Sequence, residues 1–194
     1  MIRKLIKIVD PILKWFFQRY YSKPRTSRYQ NIEVIVYPEV FPPHFTISTK
    51  RLLDYINSID LKGKKVLELG CGSGIISLLG ASKGALVTAS DINKTALKAL
   101  EKASLKNALA VHVINSNLFD KLQEKQFDYI IINPPYYPKA PKNEKEHAWF
   151  CGENFEYFKK LFEQLPSYIE QSEVLMILSE DCDLEKISSI AQQN

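Results

Sequence analysis

From residue 65 onward, short apolar runs alternate with segments whose apolar residues recur at helical spacing, and this alternation predicts an α/β fold. Val66 to Leu69, Leu86 to Ser90, Val111 to Ile114, Phe127 to Ile132 and Val174 to Leu178 read as strands. Helices are expected from about Gly74 to Ser82, over Lys94 to Leu105, over about Phe155 to Tyr168 and near Leu184 to Gln192. Strands that are apolar on both sides imply a parallel sheet covered by helices on each face. Ligands of such sheets bind beyond the carboxyl ends of the strands, close to where strand order reverses.

Before residue 65 the pattern is different. Ile2, Leu5, Ile6, Val9, Ile12, Leu13, Phe16 and Tyr20 recur at helical spacing, with Lys4, Lys7, Lys14 and Arg19 largely on other faces, so Met1 to Tyr21 reads as a basic amphipathic helix. Asp10-Pro11 predicts a kink or break within it. Ser22 to Gln30 is polar and basic and contains Pro24, which reads as a linker; Ile32 to Tyr37 then reads as a strand ended by Pro38, Pro42 and Pro43. Ser48 is placed to cap the next helix, with Ile47 and Leu52 as a hydrophobic staple and Leu52, Leu53, Ile56 and Ile59 as its buried face. The chain thus divides into a helical extension and linker over 1–30 and a domain over 31–194.

The length of 194 residues allows one globular domain with an appendage. Charge is uneven: residues 1 to 28 carry eight Lys/Arg and one Asp, and the remainder carries 18 basic and 21 acidic residues, so only the N-terminus is basic. Its apolar stripe either packs on the domain, meets nucleic acid or an acidic partner, or lies on a membrane surface. The charges that interrupt it exclude a membrane-spanning helix, which needs about 20 apolar residues, and a secretory signal would need a longer apolar core. No integral membrane association is expected. Cys71, Cys151 and Cys182 are odd in number and widely separated, without a CxxC pair or clustered histidines, which points to a reducing cytoplasm and no metal site.

Glycine is scarce, at seven residues, yet three fall in Gly70-Cys-Gly72-Ser-Gly74 where a strand turns into a helix. Such a loop lets backbone approach a ligand closely. The spacing departs from GxGxxG, since Ile75 fills the third glycine position, and GxxxxGK[ST] is absent, so a nicotinamide, flavin or triphosphate is disfavoured. Asp91 ends the next strand, where a carboxylate can accept hydrogen bonds from both ribose hydroxyls, cap the following helix, or do both. Glu68, inside an apolar strand, needs a partner: a structural Lys or Arg, or the cofactor and loop amides.

The second signal is Asn133-Pro134-Pro135-Tyr136 at the end of a strand. The Asn133 side-chain carbonyl and the Pro134 backbone carbonyl can accept both hydrogens of a planar NH₂ group, while Tyr136 stacks on its face. That arrangement turns the nitrogen lone pair toward an electrophile. His44 and His147 flank the proposed mouth, each a surface histidine or a proton acceptor, and Cys71 reads as a small filler of the loop.

Together these motifs resemble the class I S-adenosylmethionine-dependent methyltransferases, within the methyltransferase small-domain group whose hallmark is an acid-x-GxGxG loop followed by NPPY. The resemblance covers roughly Val36 to Ser179 and implies a Rossmann-like, mainly parallel sheet. It also implies that Gly70, Gly72 and Gly74 form the cofactor loop, that Glu68 supports the methionine end and that Asp91 holds the ribose. The family's Asp before "LF", which contacts the adenine amine, is replaced by Asn117, whose carbonyl can still accept that bond. Val40-Phe-Pro-Pro43 and Ser48-Thr49 look like the segment that closes over the cofactor. Ala148 to Asn154 is similar to the tryptophan and glycine segment of release-factor glutamine methyltransferases, with Cys151 in place of the first of two glycines. The antiparallel strand pair that ends the family sheet is not expected in this chain, which stops after the helix near Leu184 to Gln192.

The expectation is therefore a cytoplasmic enzyme that moves the methyl group of S-adenosyl-L-methionine to a planar nitrogen of a macromolecule, a protein glutamine amide ahead of an exocyclic amine in RNA or DNA. A non-catalytic cofactor-binding or partner-docking module is the remaining alternative. The catalytic set is Asn133, Pro134 and Tyr136, with Asn133 also next to the cofactor. An activating subunit is left open.

Overall fold

The computed structural model describes residues 22–40, 43, 47–123 and 126–194. The amphipathic stripe of Met1 to Tyr21, and His44 with Phe41 and Pro42, lie outside the described residues.

The apolar runs pair into one sheet. Strands β3 (Lys65–Leu69), β4 (Leu86–Asp91), β5 (Val111–Asn115), β6 (Tyr129–Ile132) and β7 (Glu173–Met176) are ordered β5-β4-β3-β6-β7, and every neighbouring pair is parallel. The chain begins in the middle at β3, builds outward to β5, then returns to the other side of β3 with β6. That reversal places the switch point between β3 and β6.

Side chains alternate across the sheet, and both sides are buried. On one face Val66, Val87, Ala89 and Ile131 pack beneath helices α1 (Ile47–Ser58), α2 (Ile75–Ser82) and α3 (Lys94–Asn107). On the other, Leu67, Leu69, Ile130 and Ile132 pack against Phe119 and Phe127 and against α4 (Glu156–Gln164) and α5 (Leu184–Gln192), with Phe158 and Leu161 fully buried. This is the helix-covered parallel sheet that the apolar strands implied.

The N-terminal reading needs correcting. Most of the segment expected as a linker, Arg25–Tyr29, forms a strand, β1, which pairs antiparallel with β2 (Ile32–Val36). Alternation explains it: Ile32, Val34 and Val36 are buried against α2 and α3, and the polar β1 runs along the outer side of that strand. The hairpin is tied down at Asn107, whose Oδ1 accepts the Glu33 N–H at 3.0 Å while its Nδ2 donates to the Glu33 carbonyl at 2.8 Å. Lys106 and Arg28 both hold the Glu33 carboxylate, which lowers its pKa.

Other boundaries shift for local reasons. Ile47 already belongs to α1 and is 78% exposed, so the Ile47–Leu52 staple does not form, although Leu52, Leu53 and Ile56 are buried as expected. Helix α4 stops at Gln164 and a 3₁₀ turn, Leu165–Ser167, follows. Pro166 accounts for the break, because its ring clashes with a helical carbonyl one turn back and it has no N–H to donate. Among the described residues no helix is long and apolar enough to cross a membrane.

Candidate active site

The loop after β3 is held by β4. The amides of Gly70 and Cys71 both donate to the Ser90 carbonyl, at 2.8 and 2.9 Å, and Gly74 N–H donates to the Cys71 carbonyl at 2.8 Å. Gly70, Gly72 and Gly74 adopt left-handed φ of 77°, 50° and 71°, which a side chain resists. Gly74 is also crowded: a Cβ there would lie 2.4 Å from Leu100 Cδ1. Gly70 and Gly72 line a cleft above the sheet, whereas Gly74 sits behind the loop against α3, so its role is to turn the chain into α2.

Asp91 completes this loop from the neighbouring strand. Its Oδ2 accepts the Gly72 N–H at 2.8 Å and its Oδ1 accepts the Asn93 N–H at 2.8 Å. Each oxygen retains a lone pair, which leaves room for two ligand hydroxyls on the cleft side. Burial raises the carboxyl pKa against the opposing pull of these amides. Asp91 does not cap α3; Asn93 does, with Oδ1 accepting from Thr95 N and Ala96 N at 2.8 and 3.2 Å and Nδ2 donating to the Glu39 carbonyl at 3.0 Å. The local signal for this cap is Asn93 directly before the Lys94–Asn107 helix.

Glu68 is 5% exposed on the floor of the cleft. Within the protein its partner is neither a Lys nor an Arg. Ser77, in the first turn of α2, donates its N–H at 2.8 Å and its hydroxyl to Glu68 Oε2. Burial outweighs those two bonds, and with the Asp91 charge nearby the Glu68 pKa is pushed up to about 8. A positive charge bound beside it would draw this pKa down and favour the ionised carboxylate. Cys71 is buried with its thiol pKa driven well up, which matches a filler and not a nucleophile.

Asn133, Pro134, Pro135 and Tyr136 leave the end of β6 and line the same cleft as Glu68, Gly70, Gly72, Asp91 and Asn117. Asn117 is exposed at the mouth, and the next residue, Leu118, is buried with φ 53°, a conformation that costs a non-glycine residue energy. The Tyr136 ring lies 4.8 Å from that of Tyr137, tilted by 59°, and burial raises its hydroxyl pKa.

The far wall comes from the tryptophan segment, clamped to the NPPY loop by backbone. Tyr137 N–H donates to the Trp149 carbonyl at 3.2 Å, Cys151 N–H to the Tyr137 carbonyl at 2.9 Å and Gly152 N–H to the Lys139 carbonyl at 3.2 Å. Tyr137 and Phe150 thereby form a parallel bridge. Gly152 has φ 91° and lies under Glu156, whose Oε2 would be 2.0 Å from a Cβ at that position. Trp149 and His147 reach the cleft, as do Val40, Pro43 and Thr49 of the expected closing segment. Tyr157, from the first turn of α4, and Glu144 also line it; neither lies in a recognisable motif, and only the fold brings them there. No group of three or more His, Cys, Asp or Glu fit to hold a metal ion occurs among the described residues.

These positions suit S-adenosyl-L-methionine: glycine backbone open to a ligand, a carboxylate with free lone pairs for ribose, and a second buried carboxyl where positive charge would sit.

Residues 31–151 match the model of the methyltransferase small domain. A relative from Methanocaldococcus jannaschii, which carries the provisional name of a protein N5-glutamine methyltransferase, is 32% identical over 81% of this chain and 80% of its own length. Ribosomal RNA small subunit methyltransferase C from Actinobacillus pleuropneumoniae is 34% identical over 58% of this chain, which spans only 35% of that protein. The fold matches that of the T. thermophilus 16S rRNA N2 G1207 methyltransferase, solved with AdoMet and guanosine, at a TM-score of 0.59 and 19% identity over 88% of this chain and 45% of that one. The glycine loop, the strand-end carboxylate and the NPPY cleft thus stand within a matched family, and the chain belongs to the methyltransferase small domain family as an S-adenosyl-L-methionine-dependent methyltransferase.

Proposed function

We propose that the methyl acceptor is a planar nitrogen, the side-chain amide of a protein glutamine. The observation that carries this reading is the emergence of Asn133-Pro134-Pro135-Tyr136 from β6 into the cleft that also holds the glycine loop and Asp91. When bound, S-adenosyl-L-methionine supplies an electrophilic methyl group. Asn133 and the Pro134 carbonyl then accept the two hydrogens of the amide NH₂, and Tyr136 stacks on its plane. Holding the nitrogen in line lowers the barrier by positioning and by preorganised carbonyl dipoles. Gly70, Gly72, Asp91, Glu68 and Asn117 are assigned to the cofactor, and Gly74 to the turn behind them.

The protein acceptor is supported by Trp149 in the wall and by the archaeal relative, which aligns along most of its length. An exocyclic base amine is the second reading, favoured by the relatives that carry ribosomal RNA methyltransferase names. A cytoplasmic location fits either macromolecule. Labelled-methyl transfer into a cell extract, followed by separate protease and nuclease digestion, decides between them. Label released by protease and retained through nuclease supports glutamine, and label recovered as methylated adenine or cytosine overturns it.

A further inference from the structure

The far wall of the cleft carries two groups that this acceptor reading leaves unused. Glu144 and His147 belong to a 3₁₀ helix, Glu144–Ala148, and both line the cleft. With three residues per turn, positions i and i+3 of a 3₁₀ helix eclipse, so the two side chains rise from one face of this short helix. Glu146, one position off that face, is engaged elsewhere: its carboxylate accepts the Lys142 N–H at 2.8 Å.

The helix is fixed at both ends. Asn143 caps it, with Oδ1 accepting the Glu146 N–H at 3.1 Å. At the other end Trp149 and Phe150 both donate to the Glu146 carbonyl at 3.0 Å, and the Tyr137–Phe150 bridge joins this segment to the residue after Tyr136. The Glu144 and His147 face therefore has a set position relative to Asn133 and Tyr136. Both side chains are exposed, and neither makes a hydrogen bond or ion pair among the described residues.

A planar nitrogen that gains a methyl group has a proton to lose. Its new bond to carbon forms as the carbon–sulfur bond breaks with its electron pair on sulfur, and the positive charge then leaves the nitrogen as one N–H proton. Asn133 and Pro134 offer carbonyl oxygens, which orient those hydrogens but are poor proton acceptors. We propose that His147 takes this proton through its unprotonated ring nitrogen and passes it to water at the cleft mouth, and that Glu144 holds the acceptor by accepting a hydrogen bond from a neighbouring N–H. This inference rests on methyl transfer to a planar nitrogen and holds for either macromolecule.

The test uses the full chain with labelled S-adenosyl-L-methionine and an extract containing both protein and RNA, so that incorporation is read whichever pool is methylated. His147→Ala should lower the maximal rate by about 10²-fold, the size typical of a lost proton acceptor, and imidazole added to the buffer should restore part of it because the position is open to solvent. Glu144→Gln should raise the extract concentration needed for half-maximal rate while leaving the maximal rate within about twofold. S-adenosylhomocysteine binding measured by calorimetry should be unchanged in both, which separates these roles from loss of fold. A His147→Ala rate equal to wild type, or a reduced rate that imidazole leaves untouched, overturns the proton-acceptor role. A Glu144→Gln half-saturation equal to wild type overturns the holding role. Absence of label with the wild-type protein overturns both together with the acceptor reading, which keeps the two failures distinct.

Discussion

Leu69 and Ile132 are register partners in adjacent parallel strands. Because β3 and β6 end level, Gly70 and Asn133 leave the sheet side by side, one turning toward α2 and the other into the NPPY loop. Two motifs far apart in sequence therefore share one cleft, with the glycine loop on one side and Asn133 to Tyr136 on the other.

Asp91→Ala should weaken S-adenosylhomocysteine binding at least tenfold. With Asp91 proposed as the ribose ligand, the change removes two charge-assisted bonds worth roughly 1.5 to 3 kcal/mol each, and also releases the Gly72 amide that Asp91 holds at 2.8 Å. Calorimetric titration reads it, and unaltered affinity would mean that the ribose site lies elsewhere.

Asn133→Ala should leave that affinity nearly intact while methyl transfer falls by about two orders of magnitude, as expected for loss of one preorganised electrostatic contact. Parallel calorimetry and label incorporation separate the two effects. Retained turnover would remove Asn133 from the clamp.

The loop glycines should differ in their tolerance of alanine. At Gly70 nothing lies within 4 Å of a new Cβ, so Gly70→Ala carries only the left-handed backbone penalty of about 1 to 2 kcal/mol. At Gly74 the same penalty is joined by a 2.4 Å clash with Leu100. Thermal unfolding should place Gly74→Ala well below Gly70→Ala.

Glu68 makes stability depend on pH in a defined window. Its folded pKa of about 8 lies above the ordinary 4.5, so the native state keeps a proton that the unfolded chain has lost between these values. Unfolding then takes place with proton release, and native stability falls as pH rises from about 4.5 to about 8. Glu68→Gln removes this dependence. Denaturant titrations at pH 5 and pH 8 should show wild type losing stability relative to the variant at the higher pH, and identical pH profiles would show that the carboxyl is not held neutral.

Truncations should separate the extension from the hairpin. Removing residues 1–28 takes away most of β1, which supplies the ladder to β2 from Arg25 to Tyr29, whereas removing residues 1–21 spares it. The longer deletion should melt at a lower temperature than the shorter one, and both should keep S-adenosylhomocysteine binding. Equal melting temperatures would show that β1 adds nothing to the fold.

Local chemistry carried much of this protein in its sequence. Strand cores such as Val66-Leu67 and Ile130 to Ile132 announced burial on two faces, and Gly70 to Gly74, Asp91 and Asn133 to Tyr136 stood out at strand ends, because each signal depends on near neighbours in the chain. Residues 25–29 show the complementary case: β1 is polar, and it becomes a strand only because β2 offers it a ladder and α2 and α3 bury the other side of that hairpin. The same holds for Tyr157 and Glu144 on the far wall of the cleft, whereas His147 was legible at its mouth and Ser77 meets Glu68 only nine residues along the chain. The places of Tyr157 and Glu144 follow from the crossing of the chain between β5 and β6 and from the backbone bridge at Tyr137 and Phe150, long-range pairings that no local pattern encodes.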